Sequence, residues 1–111
     1  MTVEDVRRAI DVAHEAFQSY RKTTPAQRYD ILTKFHQLFM ASVKDIARLI
    51  VWENGKCWTD AFGEANYAAS FIAWFAGEAL RTYGDTIPCS VPGTRDFVIK
   101  QPIGVCALLV P

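Results

Sequence analysis

Three cysteines, Cys57, Cys89 and Cys106, are the only strong nucleophiles in the chain. A thiol attacks as its thiolate, so a reactive cysteine needs a cation or a base beside it. Lys56 precedes Cys57 and its ammonium would favour the thiolate, but neither His14 nor His36 is close in sequence to any of the three. Without a base, Cys57 reads as a packing or surface residue, and Cys106, inside an apolar run, as a core residue. An odd number of cysteines without paired spacing argues for reduced thiols and against a disulfide framework. That fits a cytoplasmic protein, with mitochondria also compatible. The two histidines fall on separate helical segments with no Cys or His at ligand spacing, so no metal site is expected.

The carboxylates speak more of structure than of catalysis. Glu53 falls in the last turn of one helical segment and Arg28 in the first turn of another. Each charge opposes the helix dipole, so each is expected to have a compensating partner. Glu64 lies beside an apolar stripe, and Glu78 lies further along the same segment. Gly55, Gly63 and Gly77 are isolated and form no phosphate-binding loop. The residues on their own spell out no catalytic constellation.

The elements that would position these groups are mainly helical. Thr2 and Asp5 form a capping-box pattern, and Val3, Val6, Ile10, Ala13, Phe17 and Tyr20 follow as one stripe. Arg21 and Lys22 suit the negative end of that helix. Thr24-Pro25-Ala26-Gln27 starts a second helix, with Ile31, Leu32, Phe35, Leu38 and Phe39 as its buried face. Ser42 with Asp45 starts a third, with Ile46, Leu49 and Ile50 inward, and Asn54-Gly55 ends it. The short link between these two favours antiparallel neighbours.

The fourth and longest helix is expected from about Thr59 to Tyr83, stopping at Gly84. Phe62, Ala65, Ala69, Ile72, Ala76 and Ala79 make one stripe, continued by Tyr83. Tyr67, Phe71, Trp74 and Phe75 make a second, which predicts a helix covered on more than one side; the other three helices can cover only one, so the second side is expected to belong to protein outside these residues. Ile87–Val91 and Phe97–Gln101 then read as a hairpin around Pro92-Gly93-Thr94-Arg95.

The last residues, Val105-Cys106-Ala107-Leu108-Leu109-Val110, form an unbroken apolar run between Gly104 and Pro111. Such a run resembles a strand buried on both faces of a parallel sheet, and the chain reads as the opening of a larger α/β protein. With 111 residues there is room for one small core, and half of them are hydrophobic. Twelve basic and twelve acidic residues cancel, leaving no electrostatic footprint for nucleic acid or an anionic membrane. Met1-Thr2-Val3-Glu4-Asp5 does not read as a signal peptide, and the apolar stretch Ala68–Ala76 is about half of what a bilayer requires.

The ordered segments resemble the N-terminal part of the aldehyde dehydrogenase superfamily, and within it the succinate-semialdehyde dehydrogenases. The matching residues are Arg28-x-x-Ile31-Leu32, Glu53-Asn54-Gly55-Lys56, the stretch from Gly63 through Tyr67 and Trp74 to Ala76, Arg81 to Pro88, and Lys100 to Val105. Two departures stand out. Gly77 occupies a position where that branch usually has an acidic residue, at about 1 kcal/mol of helix stability relative to alanine. Cys57 stands where the family usually has proline.

The resemblance implies oxidation of an aldehyde to an acid with NAD or NADP, through a nucleophilic cysteine, a glutamate base and an asparagine that holds the oxyanion. None of these falls within the 111 residues, so the chain itself is expected to be inactive and to bind no dinucleotide. The resemblance implies peripheral roles only. Leu109, Val110 and Pro111 match the strand end at the edge of the cofactor pocket, and Gly63, Glu64 and Tyr67 match the helix bordering the substrate entrance.

The implied fold is mainly α, about four helices with a C-terminal β-hairpin and an orphan strand, as a truncated piece of the α/β aldehyde dehydrogenase fold. Residues 1–85 would be the helical region, 86–104 the hairpin matching the oligomerisation region, and 105–111 the first strand of a nucleotide-binding domain. Homo-oligomers are therefore expected, with the long helix and the Phe97–Val110 strands pairing with another copy. A stand-alone helical interaction module is the competing expectation.

Overall fold

A computed structural model describes residues 2–109. Four helices are followed by two strands: α1 Val3–Tyr20, α2 Pro25–Ala41, α3 Val43–Asn54, α4 Trp58–Ala79, β1 Asp85–Pro88 and β2 Arg95–Val98. They fall into two compact units. One runs from Pro25 to Thr82, and the other combines the residues up to Thr24 with those from Tyr83 onward.

In the Pro25–Thr82 unit, α2 and α3 each pack against α4. The contact surface of α4 is a stripe of alanines, Ala61, Ala65, Ala69, Ala76 and Ala79, all buried. Small side chains let neighbouring helix axes approach closely. Opposite them on α3 lie Val43 and Ala47, and Ile46, Ile50, Val51 and Phe62 close the cluster. At the far end Arg28 of α2 donates to the Thr82 hydroxyl (3.2 Å), which itself donates to the Ala79 carbonyl.

Several expectations are corrected here. Helices α2 and α3 pack on α4 rather than side by side, because the link is Ser42 alone, too short to reverse the chain. Ser42 makes no side-chain cap; its N–H already donates to the Leu38 and Phe39 carbonyls, and Asp45 pairs instead with Arg48 at 2.5 Å. Leu49 is exposed, and so are Ile31, Phe35 and Leu38 of α2. Helix α2 carries two apolar stripes, and packing on α4 uses the one with Leu32, His36 and Phe39, all half-buried. Helix α4 ends at Ala79, with Leu80 as its cap. Glu53 makes no ion pair among the described residues and is exposed, where water screens the unfavourable dipole.

Gly55 behaves as the sequence suggests: its φ of 66° is left-handed, and its N–H bonds to the Val51 carbonyl.

In the other unit, α1 begins with the complete Thr2–Asp5 capping box and buries none of its residues. Its apolar stripe is exposed except for half-buried Phe17, over whose ring the Arg21 guanidinium sits at 5.5 Å. Strands β1 and β2 pair antiparallel, from Asp85 with Val98 to Pro88 with Arg95. Both lie two to three residues earlier than the apolar runs suggest. The ladder stops at Pro88, which has no N–H to give. The loop that follows is tied by Thr94, whose hydroxyl donates to the Val91 carbonyl at 2.7 Å. The run Val105–Leu109 pairs with no described segment, and Val110 lies outside the described residues.

Candidate functional site

The face of α4 that points away from the alanine stripe gathers three of the expected site residues. Cys57 caps the start of α4, and Lys56 just before it reaches forward to the Glu64 carboxylate, forming an ion pair. That hydrogen bond, with the Coulombic attraction of Glu64 behind it, raises the Lys56 pKa above the usual lysine value. Gly63 sits beside Glu64 with nothing near the position a Cβ would take. One turn on, Tyr67 meets Phe71 edge to face, with ring centroids 4.8 Å apart. Tyr67, Ser70, Phe71, Trp74 and Phe75 line an open cavity of about 400 Å³. Their exposure is large: 65% for Tyr67, 47% for Phe71, 64% for Trp74 and 55% for Phe75.

Of the expected cofactor-edge residues only Leu109 is described. Leu109 is 98% exposed, and Val110 and Pro111 lie outside the described residues. No described segment offers a glycine-rich cradle leading into a helix, and Gly55 and Gly63 have open space where a Cβ would be.

The thiols divide differently from expectation. Cys106 is exposed rather than buried, because its apolar run has no covering element among the described residues. Cys57 is also exposed and makes no cap bond through its side chain. Cys89, which sequence reasoning passed over, is half-buried in the hairpin loop. The nearby Thr94 hydroxyl, then the Val91 N–H 3.5 Å from its sulfur, favour the thiolate and lower its pKa below the usual thiol value. It shares a cavity of about 410 Å³ with Thr86, Pro92 and Arg95. The available signal was a thiol opening the Ser90-Val91-Pro92-Gly93-Thr94 turn, where local N–H and hydroxyl donors face back onto it. No group of three metal-ligating side chains occurs among the described residues, and no described helix is long and apolar enough to cross a membrane.

Comparison with known proteins supplies what the local chemistry does not. The aldehyde dehydrogenase family profile matches residues 1–111, and the chain belongs to this family. It is 50% identical over its whole length to succinate-semialdehyde dehydrogenase [NADP(+)] 1 of Schizosaccharomyces pombe, covering 22% of that protein. It is 47% identical over its whole length to a glutarate-semialdehyde dehydrogenase of Pseudomonas putida, covering 23% of it. The crystal structure of succinate-semialdehyde dehydrogenase from Burkholderia pseudomallei superposes with a TM-score of 0.82 at 43% identity, over 90% of this chain and 21% of that one. The chain thus spans between a fifth and a quarter of the length of these relatives. Four helices and an antiparallel hairpin, as the fold was expected to be, match a piece of the aldehyde dehydrogenase fold.

Proposed function

We propose that these 111 residues form the N-terminal helical part of an NAD(P)-dependent succinate-semialdehyde dehydrogenase, the parent enzyme converting succinate semialdehyde to succinate. The observation that carries this reading is the 50% identity with the fission-yeast enzyme, uninterrupted across the chain. Glutarate semialdehyde is one methylene longer, and the 47% identity to an enzyme named for it makes it the competing substrate.

Within the parent, Gly63, Glu64 and Tyr67 border the substrate entrance. Lys56 holds the Glu64 carboxylate, fixing one charge at the start of the aromatic face. Leu109, Val110 and Pro111 edge the pocket for NAD or NADP, and the groups that hold the dinucleotide and perform the chemistry belong to other parts of the enzyme. Residues 1–85 are its helical region, 86–104 an oligomerisation hairpin and 105–111 the first strand of its nucleotide-binding domain. No step of the oxidation is assigned to a side chain of this segment.

Self-association through the hairpin belongs to the same proposal. Both strands are exposed along their length, and a two-stranded ribbon has two open edges that template pairing with another chain. A cytoplasmic or mitochondrial location is compatible with the reduced cysteines.

Assay of the purified 111-residue chain with succinate semialdehyde and either NAD or NADP is the test. No turnover is expected, and reproducible turnover that tracks the protein through purification would overturn the assignment of the chemistry to other residues.

A further inference from the structure

Lys56, Asp60 and Glu64 bring three charges together where α4 begins. Asp60 and Glu64 are four residues apart on α4, one turn from each other on a single face, and the Lys56 ammonium feels the attraction of both. Lys56 is the ion-pair partner of Glu64, and Glu64 has no other among the described residues. Both side chains stay in contact with solvent, Lys56 being 34% and Glu64 50% exposed. Together the three groups carry one net negative charge; without the ammonium they would carry two. The same face continues through Tyr67, Phe71 and Trp74, which help to line the open cavity and bear no charge. A charge at the end of an apolar wall is poorly screened on that side, and the wall focuses its field outward.

Resting on the reading that Glu64 borders the substrate entrance of a semialdehyde dehydrogenase, we propose that Lys56 is a specificity-determining residue: it neutralises Glu64 so that an aldehyde bearing a carboxylate can approach. Succinate semialdehyde and glutarate semialdehyde are both anions at neutral pH, because a carboxylic acid titrates well below it. Such a substrate passes Glu64 with like charges facing, whereas a neutral aldehyde meets no such repulsion. One unit charge acting over about 10 Å near a protein surface changes the approach of an anion about threefold, and salt screens it over the same distance. The effect is on approach, so it belongs to KM rather than kcat. Tying the loop to α4 is a separate role with a different signature. Glu64→Gln breaks the same ion pair as Lys56→Met, yet it changes the local charge in the opposite direction.

The test uses a chimera in which these 111 residues replace the corresponding segment of the fission-yeast enzyme. It is assayed with NADP at low salt, about 0.05 M, on succinate semialdehyde and on butanal, a neutral aldehyde of the same chain length. The readout is the ratio of the two kcat/KM values. Lys56→Met is expected to lower that ratio about threefold, through KM for the anion. Glu64→Gln is expected to raise it, and the double variant to bring it back near the parent. These differences should shrink towards nothing at about 0.5 M salt. Arg48→Met, which takes the cation from the exposed Asp45 pair on α3, is expected to leave the ratio unchanged. The proposal is overturned if both single variants lower it alike, as loss of a purely structural tie would, if butanal suffers as much as the anion, or if the differences survive high salt. Where butanal is turned over too slowly to read, the opposite signs of the single variants on succinate semialdehyde and their salt dependence decide. A chimera that oxidises only glutarate semialdehyde removes the substrate assignment, and the same comparison is then read with that anion. A chimera that is insoluble or turns over none of these aldehydes overturns the reading of the segment, and the proposal falls with it.

Discussion

Lys56 and Glu64 face each other across the turn between α3 and α4, an ammonium hydrogen-bonded to a carboxylate eight residues ahead. The pair ties the loop that begins at Gly55 to the second turn of α4, beside the open aromatic face. Lys56→Met is expected to lower the thermal midpoint slightly, since exposed pairs contribute little. The pH dependence identifies the cause. The folded-state pKa of Lys56 is raised above its usual value near 10.5, so its contribution is complete below that value and is lost as pH rises through the folded pKa. The difference between parent and variant should be constant from neutral pH to about pH 9 and vanish in strong alkali. A difference that persists there would point to packing of the lysine stem instead.

Gly84 enters the hairpin where a Cβ would stand 1.8 Å from the Val98 carbonyl oxygen. No side chain fits there without moving the β2 backbone. Gly84→Ala should destabilise the β1–β2 pairing by about 1–3 kcal/mol, seen as loss of cross-strand contacts between Thr86 and Phe97 in NMR spectra. The helical signal of the Pro25–Thr82 unit should remain.

Ala47 and Ala65 are 0% and 1% exposed at the contact between α3 and α4. A core built from alanines has little room for larger groups. Ala65→Leu should cost about 1–3 kcal/mol through overpacking, measured by urea unfolding, while Ala68→Leu on the exposed side of the same helix should be close to neutral.

Cys89 should be alkylated with a pH midpoint below the ordinary thiol value, because Thr94 and the Val91 N–H stabilise its thiolate. Thr94→Val should move that midpoint upward. An unmoved midpoint would mean that the hydroxyl does not reach the sulfur in solution.

The features visible in the sequence are those decided locally. The Thr2–Asp5 capping box and the left-handed Gly55 involve groups three or four residues apart, and residue type alone prescribes them. Which stripe of α2 is covered was not visible, because Leu32/Phe39 and Ile31/Phe35/Leu38 have the same periodicity and only the packing on α4 separates them. The second stripe of α4 was legible both as apolar and as one the other helices leave uncovered, since they suffice for one side only. The Lys56–Glu64 pair was hidden for a related reason: it spans a turn whose geometry no spacing rule gives. The strand ends shifted because hydropathy marks apolar residues, whereas the missing N–H of Pro88 sets where the ladder stops.

The proposed function stands most directly on whether this segment works as the first part of a succinate-semialdehyde dehydrogenase. The measurement is the NADP-dependent oxidation of succinate semialdehyde by a chimera in which these 111 residues replace the corresponding segment of the Schizosaccharomyces pombe enzyme, compared with the same enzyme carrying its own segment. Turnover within about tenfold of that enzyme, roughly 1.4 kcal/mol in barrier, is the predicted result. A soluble, folded chimera with no turnover of this aldehyde would contradict it.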